Sequence, residues 1–196
     1  NLGRIVLESG GKVVSGVGTG VGIVVDTIGG ITGPSSGTTV SNATDLFAKV
    51  LSDENDKRQK LVAGGIDINH GPCTNVGSTG CTDVGLINDT IINKLIALEG
   101  DCKKYNPSCE VIVTGGTEWW AHGGAVQDPN LNKSKHVPGK YSSQAIDLSL
   151  DTVLVNFLSK NGVKQGEDGY CYQRYLYNGS VYCDEINKAR HFHINY

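Results

Sequence analysis

Apolar positions along this chain change period from segment to segment. Between residues 1 and 40, Val and Ile alternate with Gly and Ser, a two-residue rhythm that predicts strand-like backbone with few side chains to pack. Residues 33–40 (GPSSGTTV) read as a loop and a boundary. From Asp45 the pattern turns helical and runs to Ala63, with Ser41 or Thr44 as the N-cap and Gly64-Gly65 after the end. A second short helix can start within it at Ser52. Residues 67–80 read as loop. Thr82 or Asp83 is read as the cap of a helix carrying Leu86, Ile87, Ile91, Leu95, Ile96 and Leu98. Glu110–Thr114 and Ala145–Leu148 read as short buried strands. Gly115 to Ser143 reads as one long loop. Asp151 opens a helix closed by Asn161-Gly162. Arg174–Tyr182 reads as a hairpin turning at Asn178-Gly179, and Arg190–Asn195 as a last strand. The tyrosines at 170, 172, 175, 177 and 182 follow this hairpin, where cross-strand packing accounts for them.

These elements predict two parts. Residues 1–40 form a Gly/Val-rich extension of β type, suited to strand addition, assembly or linking. Residues 41–196 form an α+β domain, a small antiparallel sheet with flanking helices. Composition sharpens the division. Of 27 glycines in 196 residues, 11 fall in the first 40, beside only four charged residues. A net charge of -3 gives no electrostatic case for nucleic acid. No run of apolar residues is long enough for a transmembrane helix. The Gly-x-Gly rhythm at 15–22 lacks the strand–loop–helix context of a dinucleotide site. The start at Asn1 reads as a processed chain whose targeting signal is gone.

Six cysteines fall into three close pairs, Cys73/Cys81, Cys102/Cys109 and Cys171/Cys183. Fifteen connectivities exist. Local pairing is favoured because each pair flanks a loop or hairpin, and each closed loop contributes on the order of 2–3 kcal/mol. Zinc-thiolate binding is the rival, but no Cys-x2-Cys spacing occurs. Disulfides point to an extracellular or cell-surface location. Sequons at Asn42, Asn88, Asn132 and Asn178 permit glycosylation.

The histidines carry the candidate chemistry. In His191-Phe192-His193, strand alternation puts both imidazoles on one face. Asp147 sits in the apolar run AIDL, where a carboxylate is costly to bury unless paired or bound to a cation. With His136 these groups offer nitrogen and oxygen donors of the kind zinc takes. The bland reading is a set of hydrogen-bonded histidines without metal. His122 follows Trp119-Trp120 in the long loop. This tryptophan pair can stack on a glycan or shape a substrate cleft, but anchoring the long loop by apolar contact is the favoured reading. His70, beside Gly71-Pro72, reads as a loop residue.

The order VTGGTE (113–118), His122, His136, Asp147, Asp184-Glu185, His191-Phe-His193 resembles the zinc D-alanyl-D-alanine peptidase and hedgehog-type superfamily. RQKLVAGGIDIN (58–69) and CTDVGLINDTI (81–91) resemble a bacterial branch of it. The likeness covers roughly residues 50–196. It implies zinc as cofactor, held by His136, Asp147 and His193. It implies His191 beside the substrate and Glu185 as general base, with Asp184 as the neighbouring candidate. It implies peptidoglycan peptides as substrate. Ten residues separate His136 from Asp147, where the family has six. Arg190 stands where the peptidases place an acid, three residues before the last ligand. That departure keeps open a second function: a non-catalytic extracellular filament or surface subunit on the same fold, self-assembling through residues 1–35.

Overall fold

The computed structural model describes residues 43–122, 136, 143–167, 169–186 and 190–195. Contacts divide the chain into two units, Asn1–Thr38 and Thr39–Tyr196. All described residues belong to the second. The Gly/Val-rich extension and its assembly role, the sequons Asn42 and Asn132, and most of the long loop after His122 lie outside the described residues.

Three helices and seven strands form an α+β unit among the described residues. The helices are α1 (Ala43–Ala63), α2 (Asp89–Tyr105) and α3 (Thr152–Asn161). The strands are β1 (Asp67–Ile68), β2 (Ile112–Gly115), β3 (Ala145–Ser149), β4 (Val163–Gly166), β5 (Cys171–Tyr177), β6 (Ser180–Glu185) and β7 (His191–Asn195). They build one sheet in the order β1-β2-β3-β7-β6-β5-β4. The β1–β2 pair is parallel and the others antiparallel. The sheet is thus larger than the small one predicted, and mixed rather than antiparallel. Its outermost strands carry no readable pattern. β1 is two residues long, and all four residues of β4 are exposed, so neither shows apolar alternation.

Helix boundaries follow local chemistry. α1 runs unbroken through Ser52, whose hydroxyl bonds back to Lys49 O instead of starting a new helix. It ends in paired bonds, Gly65 N to Val62 O and Ile66 N to Leu61 O, with Gly65 in the left-handed region at φ +86°. Gly64 lets α2 approach, since a Cβ there would meet Ile96 Cγ1 at 2.3 Å. α2 starts at Asp89, later than predicted. Asn88 is its cap, accepting from Thr90 N at 2.8 Å. Residues 82–87 are not helical because the buried Glu54 carboxylate takes the N–H groups of Val84 and Gly85, at 2.7 and 2.6 Å. Leu86 then adopts φ +58°. Asp151 caps α3 through Val153 N and Leu154 N, as its position predicts.

Strand alternation divides the sheet into two faces. Ile146, Ile194, Tyr182 and Tyr175 lie in register across β3, β7, β6 and β5. They join a buried cluster with Leu95 and Leu98 of α2 and Leu154 and Phe157 of α3. The opposite face carries a second row in register: Asp147, His193, Cys183 and Arg174. That face holds the polar chemistry. All three local disulfides are formed, Cys73–Cys81, Cys102–Cys109 and Cys171–Cys183. With no described helix long and apolar enough to cross a membrane, they are compatible with an extracellular, oxidising location.

Candidate metal centre

β3 and β7 bring the donors together by register. Asp147 is directly opposite His193, and Ser149 opposite His191. Both histidines therefore project from the face that carries Asp147. His193 Nδ1 lies 2.9 Å from Asp147 Oδ1. His136 is fully buried, and its Nε2 lies 3.2 Å from Asp147 Oδ1 and 3.2 Å from His193 Nδ1. These three atoms form a nearly equilateral triangle. Donors bound at about 2.0–2.1 Å around tetrahedral zinc stand roughly 3.3–3.4 Å apart. The triangle therefore fits such an ion with shifts of a few tenths of an ångström.

The surroundings prepare the donors. His136 Nδ1–H donates to Gly116 O at 2.7 Å, which fixes the ring with Nε2 facing the triangle: there it donates to Asp147 when protonated and offers a lone pair to an ion when not. Asp147 is 4% exposed. Burial by itself opposes its charge. The charge of His136, hydrogen bonds from His136 and His193, and the charge of His122 outweigh that and hold its carboxyl well below the usual range.

His122 Nδ1 and His191 Nε2 approach the other oxygen, Asp147 Oδ2, at 3.3 and 3.4 Å. Donor atoms of His122, His136 and Asp147, and those of Asp147, His191 and His193, lie within 4.8 Å of one another. Such His/Asp clusters can hold a metal ion. The His122 and His136 rings, however, stack 3.6 Å apart and 9° from parallel. Ring lone pairs lie in plane, so two stacked imidazoles do not converge on one ion. His122 instead braces Oδ2 and leaves Oδ1 to the triangle.

The two candidate acids diverge because they alternate on β6. Glu185 shares the site face and is buried. Its Oε2 lies 3.4 Å from His191 Nε2, and its Oε1 lies 3.9 Å from His193 Nδ1 while accepting no hydrogen bond. Tyr170 stands beside it. Partial burial, then a hydrogen bond to Glu185, push the Tyr170 hydroxyl up to about 12, so it remains a proton donor at neutral pH. Asp184 is opposite Phe192 in the register and pairs with Arg190, away from the histidines.

Glycines set the close approaches on the other side. A Cβ at Gly115 would lie 2.9 Å from His122 Cε1 and 3.0 Å from Asp147 Oδ2. One at Gly116 would lie 2.1 Å from Asp83 O. Glu118, which the sequence did not single out, ties this corner. Its carboxylate accepts Gly116 N–H at 2.6 Å and the Asp83 N–H, and it lies 3.8 Å from His122 Nε2. The VTGGTE motif was the available signal. The tryptophans sit behind this corner. Trp119 is buried with Leu46, Phe47 and Val50 of α1. Trp120 packs edge-on against Phe47 and donates to Ser78 O at 2.9 Å.

Comparisons of the chain with protein-family models, with curated proteins and with solved structures give no match.

Proposed function

We propose that this protein is an extracellular zinc-dependent peptidase acting on peptidoglycan-type peptides. The observation that carries the metal half of this reading is the triangle of His136 Nε2, Asp147 Oδ1 and His193 Nδ1, with sides of 3.2, 2.9 and 3.2 Å. Two nitrogens and one carboxylate oxygen are a donor set that suits zinc and leaves an open position. The substrate half rests on the sequence resemblance to D-alanyl-D-alanine peptidases.

When bound, zinc supplies Lewis acidity and brings the pKa of a water molecule to about 7. The protein's own groups do the rest. Glu185 Oε1, buried and accepting no hydrogen bond, takes a proton from the attacking water and returns it to the leaving amine. His191, between Glu185 and Asp147, holds both carboxylates in place and offers a donor to developing negative charge. His136 and Asp147 are buried, while His191 and His193 are half-buried, so one side of the cluster stays open to a peptide.

Metal analysis and hydrolysis test this together. Protein purified without chelator should carry one zinc per chain, and Asp147→Asn should retain less than a tenth of it. Glu185→Gln should keep the zinc but lose about 10²–10⁴-fold in hydrolysis of a peptide ending in D-alanyl-D-alanine. Absence of stoichiometric zinc, or undiminished hydrolysis by Glu185→Gln, overturns the reading.

A further inference from the structure

Asp147 presents its two carboxylate oxygens to different partners. Oδ1 belongs to the triangle, with His193 Nδ1 at 2.9 Å and His136 Nε2 at 3.2 Å. Oδ2 lies 3.4 Å from His191 Nε2. The same His191 nitrogen lies 3.4 Å from Glu185 Oε2. Sheet order explains this position. β7 runs between β3 and β6, so a side chain on it reaches the carboxylates on both flanks. The paired register of β6 with β7 ends on Asp184 and Phe192, and Glu185 and His191 are the next residues of the two strands.

The separations around His191 are those of metal donors. A ring nitrogen has one N–H or one in-plane lone pair, so it cannot make a good hydrogen bond to each of two oxygens. Both distances of 3.4 Å exceed the usual 2.7–3.2 Å of an N–H···O bond. They match the edge of about 3.3–3.4 Å between donors around tetrahedral zinc. One imidazole nitrogen and two carboxylate oxygens also suit zinc, whereas calcium and magnesium favour oxygen donors alone. Glu185 gives an independent indication. It is 6% exposed, and its Oε1 accepts no hydrogen bond. A buried carboxylate short of partners is costly, and a cation beside it offsets that cost. Centres that hold two metal ions place them about 3.5–4 Å apart. Asp147, with one oxygen in the triangle and the other at His191, is placed to bridge such a pair.

We propose that Asp147 Oδ2, His191 Nε2 and Glu185 Oε2 form a second, weaker zinc site, and that an ion there switches the peptidase off. The inhibition rests on the peptidase reading, while the binding does not. In that reading Glu185 takes the proton of the attacking water and His191 faces the developing charge. An ion held by both removes the base and the donor together, so activity falls as zinc rises beyond one equivalent. The second ion is the weaker because it shares Asp147 with the first and the two ions repel each other.

Equilibrium dialysis against rising zinc, on the full chain already holding one zinc, reads the second site directly. The unmodified protein should take up a second ion. His191→Gln and Glu185→Gln should each keep the first ion, which shows that they fold, and bind the second about tenfold or more weakly. Hydrolysis of a peptide ending in D-alanyl-D-alanine by the unmodified protein should fall at least tenfold over the zinc concentrations at which the second ion binds. Uptake of one ion only overturns the site and leaves the peptidase reading standing. So does a second ion that both variants hold as tightly, bound elsewhere, as at the exposed His70. Undiminished hydrolysis with the second ion in place overturns the switch. A second ion that both variants lose, in a protein that hydrolyses no such peptide, upholds the site and sinks the peptidase reading.

Discussion

Asp83 shows how one residue can carry the pH dependence of the whole unit. It is fully buried, with Oδ1 accepting Cys73 N–H at 2.8 Å. Burial pushes its carboxyl up to about 7; Glu54 and Glu118 add to this, while the Cys73 hydrogen bond and Arg58 oppose it. The folded state thus holds a proton that the unfolded chain releases near pH 4. Between those values the folded protein binds more protons than the unfolded one, so stability falls as pH rises from about 4 to about 7 and levels off above. Asp83→Asn keeps the acceptor for Cys73 and removes the titration. Its melting temperature should exceed that of the unmodified protein at pH 8, with the gap shrinking steadily towards pH 4. A gap that does not change with pH means that Asp83 is not the titrating group.

Glu54 acts at the scale of elements, by fixing where one helix stops influencing the next. Its carboxylate projects from α1 and accepts from Val84 N, Gly85 N and Arg58. Arg58 in turn donates to the carbonyls of His70 and Thr82. One side chain pair therefore holds both the segment after β1 and the approach to α2. Glu54→Ala leaves two backbone N–H groups and a guanidinium without their partner. It should cost about 2–5 kcal/mol in chemical denaturation; a loss under about 1 kcal/mol means that the segment is held by something else. The same contact explains a misreading. Leu86 and Ile87 extend the apolar period of α2 backwards, and periodicity alone cannot show a carboxylate thirty residues earlier claiming those N–H groups. Where start and stop are local, the sequence was readable. Gly64-Gly65 and Asp151 act on their own neighbours, and Asn178-Gly179 turns the hairpin with both φ values positive, 47° and 72°.

The candidate site was legible to the same degree. His-x-His alternation, and a carboxylate inside an apolar strand, are local signals that survive into the register of β3 and β7. The separation of Glu185 from Asp184 was not readable, because it depends on which way β6 faces. Nor was Arg174, which enters the row of His193 only through the sheet order. At the scale of the whole molecule, what keeps that order is partly covalent. Cys102–Cys109 ties the end of α2 to the approach to β2, Cys171–Cys183 clasps β5 to β6, and Cys73–Cys81 closes the loop beside Trp120. Loops with sequence separations of 8, 7 and 12 residues contribute about 2–3 kcal/mol each. The three together approach the 5–15 kcal/mol by which ordinary domains are stable. For a chain of this size, 1 kcal/mol moves the melting temperature by about 2–4 °C. Full reduction should therefore lower it by about 12 °C or more, and should weaken the metal binding proposed for the His136, Asp147 and His193 triangle as the sheet that aligns Asp147 with His193 loosens. A shift under about 5 °C would show that the core alone sustains the fold, and would remove the energetic case for an oxidising compartment.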